Sequence, residues 1–91
     1  MPDKRRPVLI LTRDSAIPHL RTLLVAPLTT RIRRIPTEVL LDSSDGLPRE
    51  CVASLDNVTV ADRAFLTERL ARLSPVLMAQ VCRALTIATG C

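Results

Sequence analysis

LRTLLVAPLTTRIRRIPTEVLL, residues 20–41, holds two apolar runs joined by a basic connection. The first run, Leu20–Leu28, is apolar toward both faces near its end and reads as a buried β-strand. It stops at Thr29 and Thr30. Arg31, Arg33 and Arg34 follow within four positions, and Pro36 opens the second strand, Pro36–Leu41. A proline is tolerated at a strand's first residue, where a missing N–H breaks no ladder. Paired hydroxyls followed by clustered guanidinium groups suit a phosphate as well as they suit a solvated turn.

The rest of the chain extends this pattern. Pro7–Thr12 reads as a short buried strand, and Asp14–Pro18 as a loop. DSSDGLP, residues 42–48, is a turn cluster, followed by short strands at Cys51–Leu55 and Asn57–Val60. Residues 62–73 carry Phe65, Leu66, Leu70 and Leu73 at helical spacing, which predicts a helix. Ser74 and Pro75 then form a helix start. Leu77, Met78, Val81, Leu85 and Ala88 make its apolar stripe, and Gly90 its stop. Strands first and a helix last predict an α+β fold: a small curled antiparallel sheet with a C-terminal helix, in one domain spanning 1–91.

Composition narrows the function. The chain has 91 residues and a net charge of +4. Residues 1–40 hold eight Lys and Arg against three Asp and Glu, a net of +5, while the remainder comes to −1. Such asymmetry suggests a polyanionic partner. Phe65 is the only aromatic residue, so base stacking on aromatic rings is not available as a general device. No apolar run is long enough to span a bilayer, and no leader pattern is evident, so a cytoplasmic setting is expected. Cys51, Cys82 and Cys91 lack ligand-like spacing, and His19 stands alone beside Pro18. Neither a metal nor an organic cofactor is expected.

The ordered motifs carry a resemblance. Arg6-Pro7 precedes an apolar strand ending in Thr12-Arg13-Asp14. Then come Val25-Ala26-Pro27-Leu28-Thr29-Thr30, Pro36-Thr37-Glu38-Val39, Asp45-Gly46-Leu47-Pro48, Val52 through Asp56-Asn57, and a helix beginning Arg72-Leu73-Ser74-Pro75. The whole chain resembles the MazF/PemK family of toxin endoribonucleases. The resemblance implies a strongly curved, SH3-barrel-like antiparallel sheet of the MazF/CcdB type, and a homodimer with a cognate antitoxin partner. It implies cleavage of single-stranded mRNA, without a metal, to a 2′,3′-cyclic phosphate and a 5′-hydroxyl. By the same resemblance Arg6 and Thr29 are the catalytic pair, and Asp56 and Asn57 lie at the RNA. Arg13, Thr30, Arg31 and Arg33 complete the candidate RNA-binding set, with Arg34 beside them. Residues 62–73 become a turn followed by a strand.

One departure accompanies the match. The family has a further strand and a glycine-containing loop ahead of the Arg-Pro pair, and only five residues precede Arg6 here, so that strand is expected to be absent. An upstream start, a truncated toxin or a strand supplied by a partner would each account for this. Two other functions fit the fold class: a non-catalytic toxin that binds a protein such as DNA gyrase, as CcdB does, and an inactive remnant.

Overall fold

The computed structural model describes residues 6–91. The expected absence of the family's first strand concerns positions outside that range. Five strands and one helix follow in order: β1 (Val8–Ile10), β2 (Thr22–Thr29), β3 (Glu38–Leu41), β4 (Cys51–Ser54), β5 (Thr59–Asp62) and α1 (Pro75–Thr89). The α+β expectation holds, and every pairing is antiparallel.

β2 is the axis of the sheet. Along one edge Val8, Leu9 and Ile10 face Pro27, Ala26 and Val25. Along the other, Leu28 and Thr29 face Ala53 and Val52 of β4, and Thr22–Val25 face β5 from Asp62 back to Thr59. β4 and β5 thus occupy one edge of β2 in succession. A 3-10 turn at Leu55–Asn57 separates them and shifts their register. β3 lies outside β4, with Glu38 opposite Ser54 and Leu41 opposite Cys51. The sheet order is β1-β2-β4-β3, and the sheet is not closed.

Alternation along the strands divides the faces. Ala26 and Leu28 of β2, Val39 and Leu41 of β3, and Cys51 and Ala53 of β4 meet Val81 and Ala84 of α1 in the main core. The opposite face buries Leu23, Val25 and Val52 and carries Thr29, Ser54 and Glu38 beside them. In α1 the Ser74 hydroxyl accepts the Leu77 N–H, Pro75 occupies the first turn, and Gly90 terminates the helix at φ 74°. The expected stripe packs inward, joined by Ala84. No helix among the described residues is long and apolar enough to cross a membrane.

Residues 62–73 overturn the helix, and of the turn and strand that the resemblance implies only the turn is present. A 3-10 turn covers Arg63–Phe65, and no helix or strand follows until α1. Phe65 and Leu70 are 81% and 48% exposed, so the helical spacing does not mark a buried stripe. Tertiary contacts hold the segment instead. Ala71 and Leu73 pack on the core, and the Arg72 guanidinium pairs with the Asp14 carboxylate.

Ala71 also presses on the 42–48 turn. Asp42 and Asp45 cap that turn reciprocally, and Gly46 closes it at φ 93°. The Asp42 carboxyl is held below the usual carboxylate range, first by the Ser44 hydroxyl and then by the Ser44 N–H. A Cβ at position 46 would stand 2.8 Å from the Ala71 Cβ, whereas one at Gly90 would meet nothing within 4 Å. Both sites favour glycine through positive φ, but only Gly46 adds a collision. Gly46→Ala is expected to cost about 2–3 kcal/mol and lower the Tm by roughly 10 °C or more, with Gly90→Ala costing about 1 kcal/mol. Thermal unfolding followed by circular dichroism checks the order; equal losses would show that the Ala71 contact does not constrain the turn.

Candidate active site

The β1–β2 register builds the centre of the site. The Leu28 N–H donates to the Pro7 carbonyl at 3.2 Å, one step beyond the Val8–Pro27 pair. Carried one residue further, this register sets Arg6 opposite Thr29, and opposite residues share a face. Val52 flanks Thr29 on the other side and is paired in turn with Leu40. A row of Thr29, Val52 and Leu40 therefore crosses three strands on the face away from α1, and Arg6, just ahead of β1, extends it. Arg6 is exposed and Thr29 half-buried. Among the described residues the Arg6 guanidinium has no hydrogen-bond or ion-pair partner.

Thr29 is oriented by its own chain. Its Oγ1 accepts the Arg31 N–H at 3.1 Å. With a lone pair occupied, the hydroxyl hydrogen is free to donate to a ligand across the row. The same bond starts the basic loop at the edge of the site.

Glu38 holds the rest of that loop. Its Oε1 accepts the N–H groups of Arg33 and Arg34 at 2.9 and 3.1 Å. The Glu38 N–H donates to the Ile35 carbonyl at 3.0 Å. Arg34 has φ 57°, the one positive φ outside glycine among the described residues. A non-glycine residue in that region costs on the order of 1 kcal/mol and persists where its surroundings fix it. The side chains of Arg31, Arg33 and Arg34 have no hydrogen-bond or ion-pair partner among the described residues.

The start of β3 links this loop to the Asp56–Asn57 turn. Thr37 Oγ1 donates to Asp56 Oδ2 at 2.6 Å, and Asn57 Nδ2 donates to Ser54 Oγ at 2.8 Å. Ser54 is the one buried polar side chain among the described residues and lies opposite Glu38. Arg6, Thr29, Thr30 and Arg31 meet at the C-terminal end of β2, while Arg33, Asp56 and Asn57 connect to it through the loop and the start of β3, at the other end of β4. Arg13 joins neither group. It follows β1 at the strand's opposite end, where its carbonyl accepts the Ala16 N–H. Glu38 and Ser54 were not singled out from sequence. The signal for Glu38 was available: it is the first acidic residue after a run of three arginines.

With this geometry in view, the family comparison becomes specific. Residues 1–89 match the family described as "PemK-like, MazF-like toxin of type II toxin-antitoxin system". The chain belongs to that family. It is similar to the "Probable endoribonuclease MazF5" of Mycobacterium tuberculosis, 48% identical over 88 residues that cover 96% of this chain and 81% of that protein. Among solved structures it resembles the "Mycobacterium tuberculosis toxin MazF-mt6" with a TM-score of 0.89 and 36% identity, covering 93% of this chain and 86% of that one. It also resembles a mycobacterial endoribonuclease solved "in complex with its cognate antitoxin", with a TM-score of 0.81 and 29% identity, covering 93% of this chain and 81% of that one. The fold of this MazF-like toxin is therefore that of its family.

The Ser54–Asn57 bond offers a structural check on the site's floor. Asn57→Ala leaves the buried Ser54 hydroxyl without its partner and is expected to lower stability by about 1 kcal/mol in urea. Asn57→Asp, which accepts a hydrogen bond from the same hydroxyl, is expected to stay within about 0.5 kcal/mol of the parent. Equal losses for the two would place the effect elsewhere.

Proposed function

We propose that this toxin is a metal-independent endoribonuclease that cleaves single-stranded mRNA at short sequence motifs. The observation that carries the reading is the register that, extended by one residue, sets Arg6 opposite Thr29, beside a loop whose three arginine side chains have no partner among the described residues. The relatives named as endoribonucleases support the same reading and do not favour a toxin acting only by binding a protein.

The chemistry follows from these groups. The ribose 2′-oxygen attacks the adjacent phosphorus and forms the O2′–P bond. The P–O5′ bond breaks, leaving a 2′,3′-cyclic phosphate and a 5′-hydroxyl. The 2′-hydroxyl proton leaves to solvent, and the departing 5′-oxygen takes one up. Arg6 stays protonated, so it acts as a bidentate grip on the non-bridging oxygens and stabilises charge as the phosphorane forms. Thr29 donates its hydroxyl hydrogen to those same oxygens. Arg31, Arg33 and Arg34 hold flanking phosphates, which supply affinity without sequence information. Thr30 and the Asp56–Asn57 turn lie where base edges are read. Arg13, at the far end of β1, contributes to the general positive field rather than to this cluster.

A cognate antitoxin is the protein partner, by analogy with the related complex. The active form is a homodimer in the cytoplasm.

Purified protein incubated with mixed-sequence single-stranded RNA in excess EDTA is expected to yield fragments with cyclic phosphate and 5′-hydroxyl ends. Thr29→Ala and Arg6→Ala are each expected to slow cleavage on the order of 10²–10³-fold with folding unchanged. Intact RNA after prolonged incubation with folded wild-type protein would refute the assignment.

A further inference from the structure

The basic loop raises a problem of its own. Three guanidinium groups within four positions repel one another, and residues 31–35 belong to no helix or strand. A carboxylate in such company ordinarily pairs with a guanidinium. Glu38 does not. Its Oε1 takes two successive backbone N–H groups, those of Arg33 and Arg34. The left-handed Arg34 turns both N–H groups toward that oxygen, in the manner of a backbone nest around an anion. The arginine side chains are left without partners among the described residues.

Two further contacts tie this carboxylate to the sheet. The Glu38 N–H donates to the Ile35 carbonyl, closing the loop on its own exit. Glu38 stands opposite Ser54, two residues from the Leu40–Val52 pair that continues the Thr29 row, and on the same face. The loop's shape is therefore referred to the same strands that carry Arg6 and Thr29.

We propose that Glu38 is the positioning residue of the RNA-binding loop: by occupying the Arg33–Arg34 nest with its own carboxylate, it fixes the backbone while keeping all three guanidinium groups available for phosphate. The inference rests on the endoribonuclease reading above, because it takes single-stranded RNA as the ligand. It makes a prediction opposite in sign to simple electrostatics. Removing an acidic residue from a basic surface ordinarily tightens a polyanion's binding. If Glu38 positions the loop, its removal weakens binding despite the added net positive charge.

The test uses a fluorescently labelled 2′-O-methyl 20-mer of mixed sequence, which binds but lacks the attacking hydroxyl. Its Kd is measured across a salt series for wild type, Glu38→Ala, Glu38→Gln and the Arg31→Ala/Arg33→Ala double variant. Glu38→Ala is expected to weaken binding about tenfold, the scale of one charge-assisted hydrogen bond. Its salt slope is expected to flatten toward that of the double variant, by roughly 0.7 for each phosphate that is no longer neutralised. Glu38→Gln retains an acceptor for both N–H groups and is expected to recover most of the affinity. With cleavable RNA the effect falls on KM more than on kcat. Should Glu38→Ala fail to fold, Glu38→Gln decides alone: binding near the wild-type Kd and salt slope supports positioning, and tighter binding with a steeper slope contradicts it. Unchanged or tighter binding by folded Glu38→Ala overturns the inference while leaving the endoribonuclease reading intact. No binding by a wild type that also leaves unmodified RNA intact overturns both. Where the wild type cleaves RNA without retaining the probe, the KM of Glu38→Ala on cleavable RNA decides in the same sense: a raised KM supports positioning, and an unchanged or lowered one contradicts it.

Discussion

The pairing of β2 along both of its edges is the constraint on which the rest depends. Val25 has Ile10 on one side and Thr59 on the other. Thr29, four residues on, has Val52 on one side and the continuation of β1 on the other. A strand held this way cannot slip by one residue without sending Ala26 and Leu28 out of the core and exposing them. The apolar pattern that fixes the fold therefore also fixes which hydroxyl stands opposite Arg6. On the proposed reading, the pair Thr29 and Arg6 is set by β2 and by the segment leading into β1, while the arginines that would grip phosphate sit on a loop anchored at Thr29 and Glu38.

Most of the architecture was legible in the chain. Both apolar runs of residues 20–41 became strands because they fill a pleated, two-sided position, and the Ser74-Pro75 start and Gly90 stop bounded the helix as their capping chemistry requires. Residues 62–73 misled for a physical reason. Phe65, Leu66, Leu70 and Leu73 follow helical spacing, yet Phe65 and Leu70 face solvent, and long-range contacts of Ala71 and Arg72 dictate an irregular path. Spacing within a segment cannot report a contact with Gly46 or Asp14 elsewhere in the chain.

The site was legible in unequal parts. Arg6 and Thr29 followed from the family resemblance, and the register supplied the physical reason for their pairing. Glu38 went unmarked because an acidic residue near arginines suggests an ordinary side-chain ion pair, whereas its oxygen binds backbone N–H groups. Arg13 had the right charge and belongs to a recurring motif, but strand length carries it to the far end of β1. Charge in sequence gives the sign of a partner; only the fold says which charges act together.

If Arg6 and Thr29 act on the same phosphoryl group, their contributions to catalysis are coupled. The direct measurement is a double-mutant cycle on RNA cleavage, comparing kcat/KM for wild type, Arg6→Ala, Thr29→Ala and the combined variant, with folding verified for each. Groups that work as a unit are strongly non-additive, so the combined variant is predicted to be about as slow as the slower single variant. Single effects that multiply in full would contradict the pairing and mean that the two residues act independently.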